Sequence, residues 1–164
     1  MKKFLVAVFS AALLVLAAQA SAKPNSNDTV HKATVISSLP FSDSENTTGA
    51  SAKQEPQPTD PGNCNGMGST VWYAFTPSAD TTLSADTIGS NYDTVLAVYT
   101  RTGNHFTEVA CNDDISGSSN TQSQVTFPAA GGTSYYFQVG SCCTPTAPPL
   151  GSNFQLSFHL DVAT

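Results

Sequence analysis

Asp93, Asp113 and Asp114 are the side chains in this sequence best suited to act together, because carboxylate oxygens are the hard ligands that Ca²⁺ selects. About twenty residues separate Asp93 from the other two, so only chain reversal brings them together. The stretch from 91 to 114, NYDTVLAVYTRTGNHFTEVACNDD, provides one. Val95, Leu96, Ala97, Val98 and Tyr99 form a β-branched and aromatic run, Gly103-Asn104 is a two-residue turn that accepts positive φ, and Phe106, Val109 and Ala110 lie on the return. Uninterrupted pairing through that turn sets Asp93 across from Asp114, with Asn112 and Asp113 alongside. Carboxylates gathered this way repel one another unless a cation or solvent intervenes. The extended NSND segment at 25–28 is a further source of ligands, through Asp28 or a carbonyl. The alternative is a solvated acidic loop in which Asn112, Asp113 and Asp114 form Asx-turns, and both readings stand at this point.

Catalytic signatures are absent from the sequence. It has no G-x-S-x-G elbow, no H-E-x-x-H pair and no P-loop, and His31, His105 and His159 fall in separate segments. The expectation is a protein that is not an enzyme, with a hydrolase whose residues assemble only in space as the remaining alternative. Two glycosylation sequons, Asn27-Asp28-Thr29 and Asn46-Thr47-Thr48, matter only in a host that glycosylates.

The chain opens MKKFLVAVFSAALLVLAAQASAK, with two lysines, an apolar run from Phe4 to Ala18 and small residues at the end. This is the pattern of a secretory signal peptide, with residues 1–22 removed and 23–164 forming one domain, secreted to an extracellular or periplasmic space. The apolar run is shorter than the roughly 20 residues of a spanning helix, so no membrane association is expected of the mature form. Beyond residue 22 the basic residues are Lys23, Lys32, Lys53 and Arg101 against twelve acids, a formal charge of −8. Nucleic acid and anionic lipid are therefore poor partners, and neither is expected to bind. In an oxidising compartment Cys64, Cys111, Cys142 and Cys143 are expected to form disulfides. A bond between the adjacent Cys142 and Cys143 demands a strained ring, so the favoured pairing sends each to a different partner, Cys64 or Cys111.

The elements that would position the acids are strands. Val71, Tyr73 and Phe75 alternate with Trp72 and Ala74, Leu83 and Ala85 with Ser84 and Asp86, and Tyr135, Phe137 and Val139 with Tyr136 and Gln138. The segment from Phe154 to Val162 alternates most cleanly and places His159 on the solvent face. Residues 49–70, with Pro56, Pro58, Pro61, Gly62, Gly66 and Gly68, read as a long loop pinned by Cys64. No helical period follows the signal. The fold class is all-β, an antiparallel two-sheet sandwich of about eight or nine strands.

The succession ATVISSLPF, STVWYAFT, GSNYDTVLAVYT, VACNDD, SQVTFPAAGGTSYYFQV and FQLSF resembles the bacterial pre-peptidase C-terminal (PPC) domain, over about 25 to 162. The resemblance implies a jelly-roll-like sandwich that serves secreted proteases as a non-catalytic accessory module. It also implies a relation to collagen-binding domains of bacterial collagenases, which hold Ca²⁺ through an N-terminal segment and adjacent loops. On that pattern Asn27 and Asp28 correspond to the segment and Asp93, Asp113 and Asp114 to the loops, with Asn112 beside them as a further candidate ligand from the hairpin reading. No attached peptidase domain is expected, so a role in the secretion or processing of a covalently linked enzyme is not expected either.

The expected function is a secreted binding or adhesion module, calcium-stabilised, that recognises an extracellular protein or polysaccharide. Trp72, Tyr92 and Tyr136 are the candidate ligand-binding aromatics, set against ordinary packing for each. The alternatives are a stabilising partner of a separately encoded secreted enzyme and the hydrolase already named.

Overall fold

The computed structural model describes residues 25–59, 64, 66–143 and 153–164. The expected signal segment at 1–22 lies outside these residues, as does most of the Pro-rich loop after Cys143. Among the described residues no helix is long and apolar enough to cross a membrane.

Among the described residues nine strands form, β1 (Thr34–Val35), β2 (Phe41–Asn46), β3 (Met67–Phe75), β4 (Thr81–Asp86), β5 (Thr94–Thr102), β6 (His105–Asn112), β7 (Gln124–Ala129), β8 (Tyr135–Cys142) and β9 (Gln155–Val162). They make one sheet in the order β1-β3-β8-β5-β6 and another in the order β2-β9-β4-β7. Every pairing is antiparallel except that of the two-residue β1, which runs parallel to β3. Without β1, the orders 3-8-5-6 and 2-9-4-7 are those of an eight-stranded jelly roll, the architecture expected from the sequence.

The alternation in the sequence builds the core between the sheets. Leu156, Phe158 and Leu160 of β9 point inward, as do Val125, Phe127 and Ala129 of β7. They meet Val71, Tyr73, Leu96, Val98, Phe137 and Val139 of the opposing sheet. Tyr73 stacks on Phe158 at 4.3 Å between ring centres, and Phe137 contacts Phe158 at 5.8 Å. Burying side chains of this size contributes about 1.5–3 kcal/mol each before the entropy of ordering is counted.

The five-stranded sheet is covered on its outer face as well. Cys64, Met67, Trp72, Val95, Ala97 and Tyr99 form a second apolar cluster there, with Phe106 packed against it. The cover comes from the loop before β3: Gln57 Oε1 accepts the Met67 N–H at 2.8 Å, and the Thr59 N–H donates to Glu108 Oε2 of β6 at 2.7 Å. This loop also corrects the expected disulfides. It doubles back over the outer face as far as β6, so Cys64 pairs with Cys111, their Cα atoms 6.3 Å apart, and Cys142 pairs with its neighbour Cys143.

The central hairpin forms about Gly103, whose φ of 60° lies in the left-handed region that glycine adopts without strain. From Thr102 opposite His105 to Tyr99 opposite Glu108 the register is the expected one. It then slips by one residue, with Val98 opposite Ala110, leaving Val109 as a bulge. A second irregularity interrupts β3 between Gly68 and Val71, where Ser69 has a φ of 49°.

Candidate functional site

The slip at Val109 corrects the expected alignment of Asp93 with Asp114, because the extra residue moves the end of β6 one place along β5. The three acids meet nonetheless. Asp93 immediately precedes β5, where its carbonyl accepts the Cys142 N–H at 2.9 Å, and Asp113 and Asp114 immediately follow β6. One carboxylate oxygen from each lies within 4.8 Å of those of the other two. Two unit charges at that distance repel by roughly 1 kcal/mol in water and roughly 3 kcal/mol at an effective dielectric near 20. Burial, followed by the neighbouring Asp114 and Asp93, pushes the Asp113 carboxyl up to about 6. Asp93 is raised by burial and then by Asp114.

Backbone groups of this corner are engaged while some carboxylate oxygens are not. The Asp113 carbonyl accepts the Ser123 hydroxyl at 2.7 Å, and the Asp114 carbonyl accepts the Asn112 amide at 3.2 Å. Asn112 Oδ1 accepts the Gln124 N–H at 3.0 Å, so both ends of this side chain are used locally. By contrast, Asp113 Oδ1 and Asp114 Oδ1 are buried atoms with no hydrogen-bond partner among the described residues. Cys142 Sγ lies 3.6 Å from Asp113 Oδ2. Its sulfur is in a disulfide and has no proton to donate, so this is a contact rather than a hydrogen bond.

Asn27 and Asp28 are not brought to the cluster, contrary to expectation. The Asn27 carbonyl accepts the Trp72 N–H at 3.0 Å beside β3, and its amide donates to Glu45 Oε1 at 2.8 Å. Glu45 and Asp43 together accept the Tyr73 hydroxyl, at 2.7 and 3.1 Å. Asp28 Oδ1 accepts the Ser51 N–H at 2.6 Å. In the sheet, β8 and β5 lie between β3 and β6, which separates this segment from Asp113 and Asp114.

The three aromatics named from the sequence do not share an exposed face. Tyr92 is 9 % exposed, stacks on Phe154 at 4.7 Å and accepts the Thr47 hydroxyl at 3.3 Å, so it is core rather than platform. Trp72 is fully buried, because its side of β3 is roofed by the loop at 51–59. Tyr136 is half-buried and meets Phe106 edge-on, 6.4 Å between centres.

A polar centre that the sequence did not single out lies under the same loop. Glu55 accepts the Trp72 indole N–H at 2.9 Å, the Gln138 amide at 3.2 Å and the Thr70 hydroxyl in a short hydrogen bond. Burial raises the Glu55 carboxyl above its usual range, against the lowering effect of these three donors. Next to it, Thr29, Val30, His31, Lys53, Arg101 and Phe106 help line an open cleft of about 340 Å³. A basic residue in a chain poor in bases was the available signal, but Lys53 and Arg101 are far apart in sequence and only the fold unites them.

No family model and no curated protein matches the chain. Among solved structures it is similar to the pre-peptidase C-terminal domain of a collagenase from Bacillus anthracis, with 13% identity and a TM-score of 0.41, covering 80% of this chain and 94% of that one. That is the domain type which the succession of motifs resembles.

Proposed function

We propose that this chain is a secreted, non-catalytic binding module that recognises an extracellular protein or polysaccharide and is stabilised by Ca²⁺ at Asp93, Asp113 and Asp114. The observation that carries the calcium reading is the convergence of three carboxylates within 4.8 Å, two of them with a buried oxygen that has no partner among the described residues. Three carboxylates with water completing the shell are ligands of the kind Ca²⁺ takes. Asn112 supports the loop rather than the ion, and Asn27 and Asp28 are not ligands.

The non-catalytic reading rests on the resemblance of the motif succession to the pre-peptidase C-terminal domain, an accessory module of secreted proteases. Export is supported by the opening residues of the sequence and by the cysteine pairing.

The test is calorimetric titration with Ca²⁺, together with thermal unfolding with and without chelator. An ion that binds only the folded state adds RT ln(1 + [L]/Kd), about 2.7 kcal/mol at a hundredfold excess over Kd. The expected result is binding heat and a melting temperature that falls on chelation, both lost in Asp93→Asn with Asp114→Asn. No heat at millimolar Ca²⁺ and no response to chelator would refute the calcium site. Pull-down from panels of matrix proteins and polysaccharides tests the binding role.

A further inference from the structure

Resting on the reading of the chain as a binding module, we infer that the cleft beside Glu55 binds an acidic, uronate-type polysaccharide. Its volume of about 340 Å³ lies at the lower end of the ~300–1,000 Å³ typical of small-ligand sites, room for a short stretch of sugar rather than a globular partner. It opens between the 3₁₀ turn at Val30–Lys32, the segment at 53–56 and the tip of the β5–β6 hairpin.

The charge of the lining runs against that of the chain. Lys53 and Arg101 are two of the four basic residues beyond residue 22, and both line this cleft together with His31. Neither has an ion-pair partner among the described residues. Arg101 is held in place, with Nε donating to the Gly103 carbonyl at 2.7 Å, Nη2 to Asn104 Oδ1 at 3.2 Å, and the guanidinium 5.2 Å from the centre of the Phe106 ring. These bonds use Nε–H and one Nη2 hydrogen. The outer edge, Nη1 with the second Nη2 hydrogen, keeps the fork that a carboxylate accepts. Glu55 also lines the cleft, but its carboxylate is bonded to Thr70, Trp72 and Gln138 and makes no ion pair with Lys53 or Arg101 among the described residues, so the two cations outnumber it.

The strands beneath favour a glycan over an acidic peptide. Within its sheet β3 lies between β1 and β8, and β5 between β8 and β6, so of the strands that line the cleft only β6 has a free edge, and β3 and β5 offer none for a peptide backbone to extend. Recognition falls to side-chain donors, Lys53, Arg101, Asn104 and Gln54, which suit a ligand with carboxylates and hydroxyls on its periphery. The half-buried Phe106 ring adds an apolar surface for a sugar face.

Trp72 is the only tryptophan and lies buried behind this cleft, so its emission is followed together with the heat of binding by calorimetry. The full exported chain is titrated with a galacturonic acid trimer, with the neutral galactose trimer and with an oligo-aspartate peptide. The expected result is a saturable change with the acidic trimer alone, weakened by salt. Arg101→Gln combined with Lys53→Gln should weaken it about tenfold or more at an unchanged melting temperature. Absence of saturable binding to the trimer, retention of affinity in the double variant, or tighter binding of oligo-aspartate would each overturn the assignment. If the wild-type chain is captured by a polysaccharide or matrix panel and the double variant equally so, the module reading stands and this cleft is not its site. A wild-type chain that captures nothing sinks both.

Discussion

Glu55 accepts the indole N–H of Trp72 at 2.9 Å, and this bond ties the loop before β3 to the outer face of the five-stranded sheet. The same carboxylate also takes the Thr70 hydroxyl and the Gln138 amide, so three donors converge on one acceptor. Glu55→Gln sets an amide N–H₂ among groups that are already donating. The expected loss is about 1–3 kcal/mol of stability, the cost of a buried polar group left badly paired. Urea denaturation followed by Trp72 emission measures it, and an unchanged midpoint would show that the loop is held by other contacts.

Calcium-free protein should show a pH dependence with a defined sign. The Asp113 carboxyl is raised from 3.8 to about 6 in the folded chain, first by burial and then by Asp114 and Asp93. Between those values the native state holds a proton that the unfolded chain has released. Asp113 therefore favours folding below about pH 4, and that contribution is lost as the pH rises to about 6. Denaturant midpoints across this window should fall with rising pH, and Asp113→Asn should flatten the trend. A trend of the same slope in the variant would assign it to another group.

Gly140 in β8 is required by close approach of backbone. A Cβ there would lie 2.6 Å from the Gly68 carbonyl oxygen and 2.8 Å from Thr70 Cγ2, at the irregularity that interrupts β3. Gly140→Ala should cost about 1–3 kcal/mol or more, the range of overpacked interiors. A thermal melt decides this, with Gly132→Ala as a contrast, since at Gly132 the penalty comes from a φ of 77° rather than from crowding.

The bridge from Cys64 to Cys111 closes a sequence separation of 47 residues. Removing it as Cys64→Ser with Cys111→Ser should destabilise the fold by about 2–4 kcal/mol, largely by freeing the unfolded chain. Peptide mapping without reduction should recover Cys64 joined to Cys111. Recovery of either one joined to Cys142 or Cys143 would contradict the pairing.

By itself the sequence determined the sandwich, since two-residue alternation in β7 and β9 leaves each strand a single inward face, and Gly103 admits one turn in the central hairpin. It also determined that Asp93, Asp113 and Asp114 meet, because hairpin pairing is local and a slip of one residue still leaves both ends at the same edge. The tertiary structure alone decided the rest. The bulge at Val109 depends on how β5 pairs simultaneously with β6 and β8, which no single hairpin reveals. Burial of Trp72 and Tyr92 and the pairing of Cys64 with Cys111 depend on where irregular loops lie. Such loops carry no periodicity, and their paths follow from contacts between residues distant in sequence, such as Thr59 with Glu108 and Glu55 with Gln138.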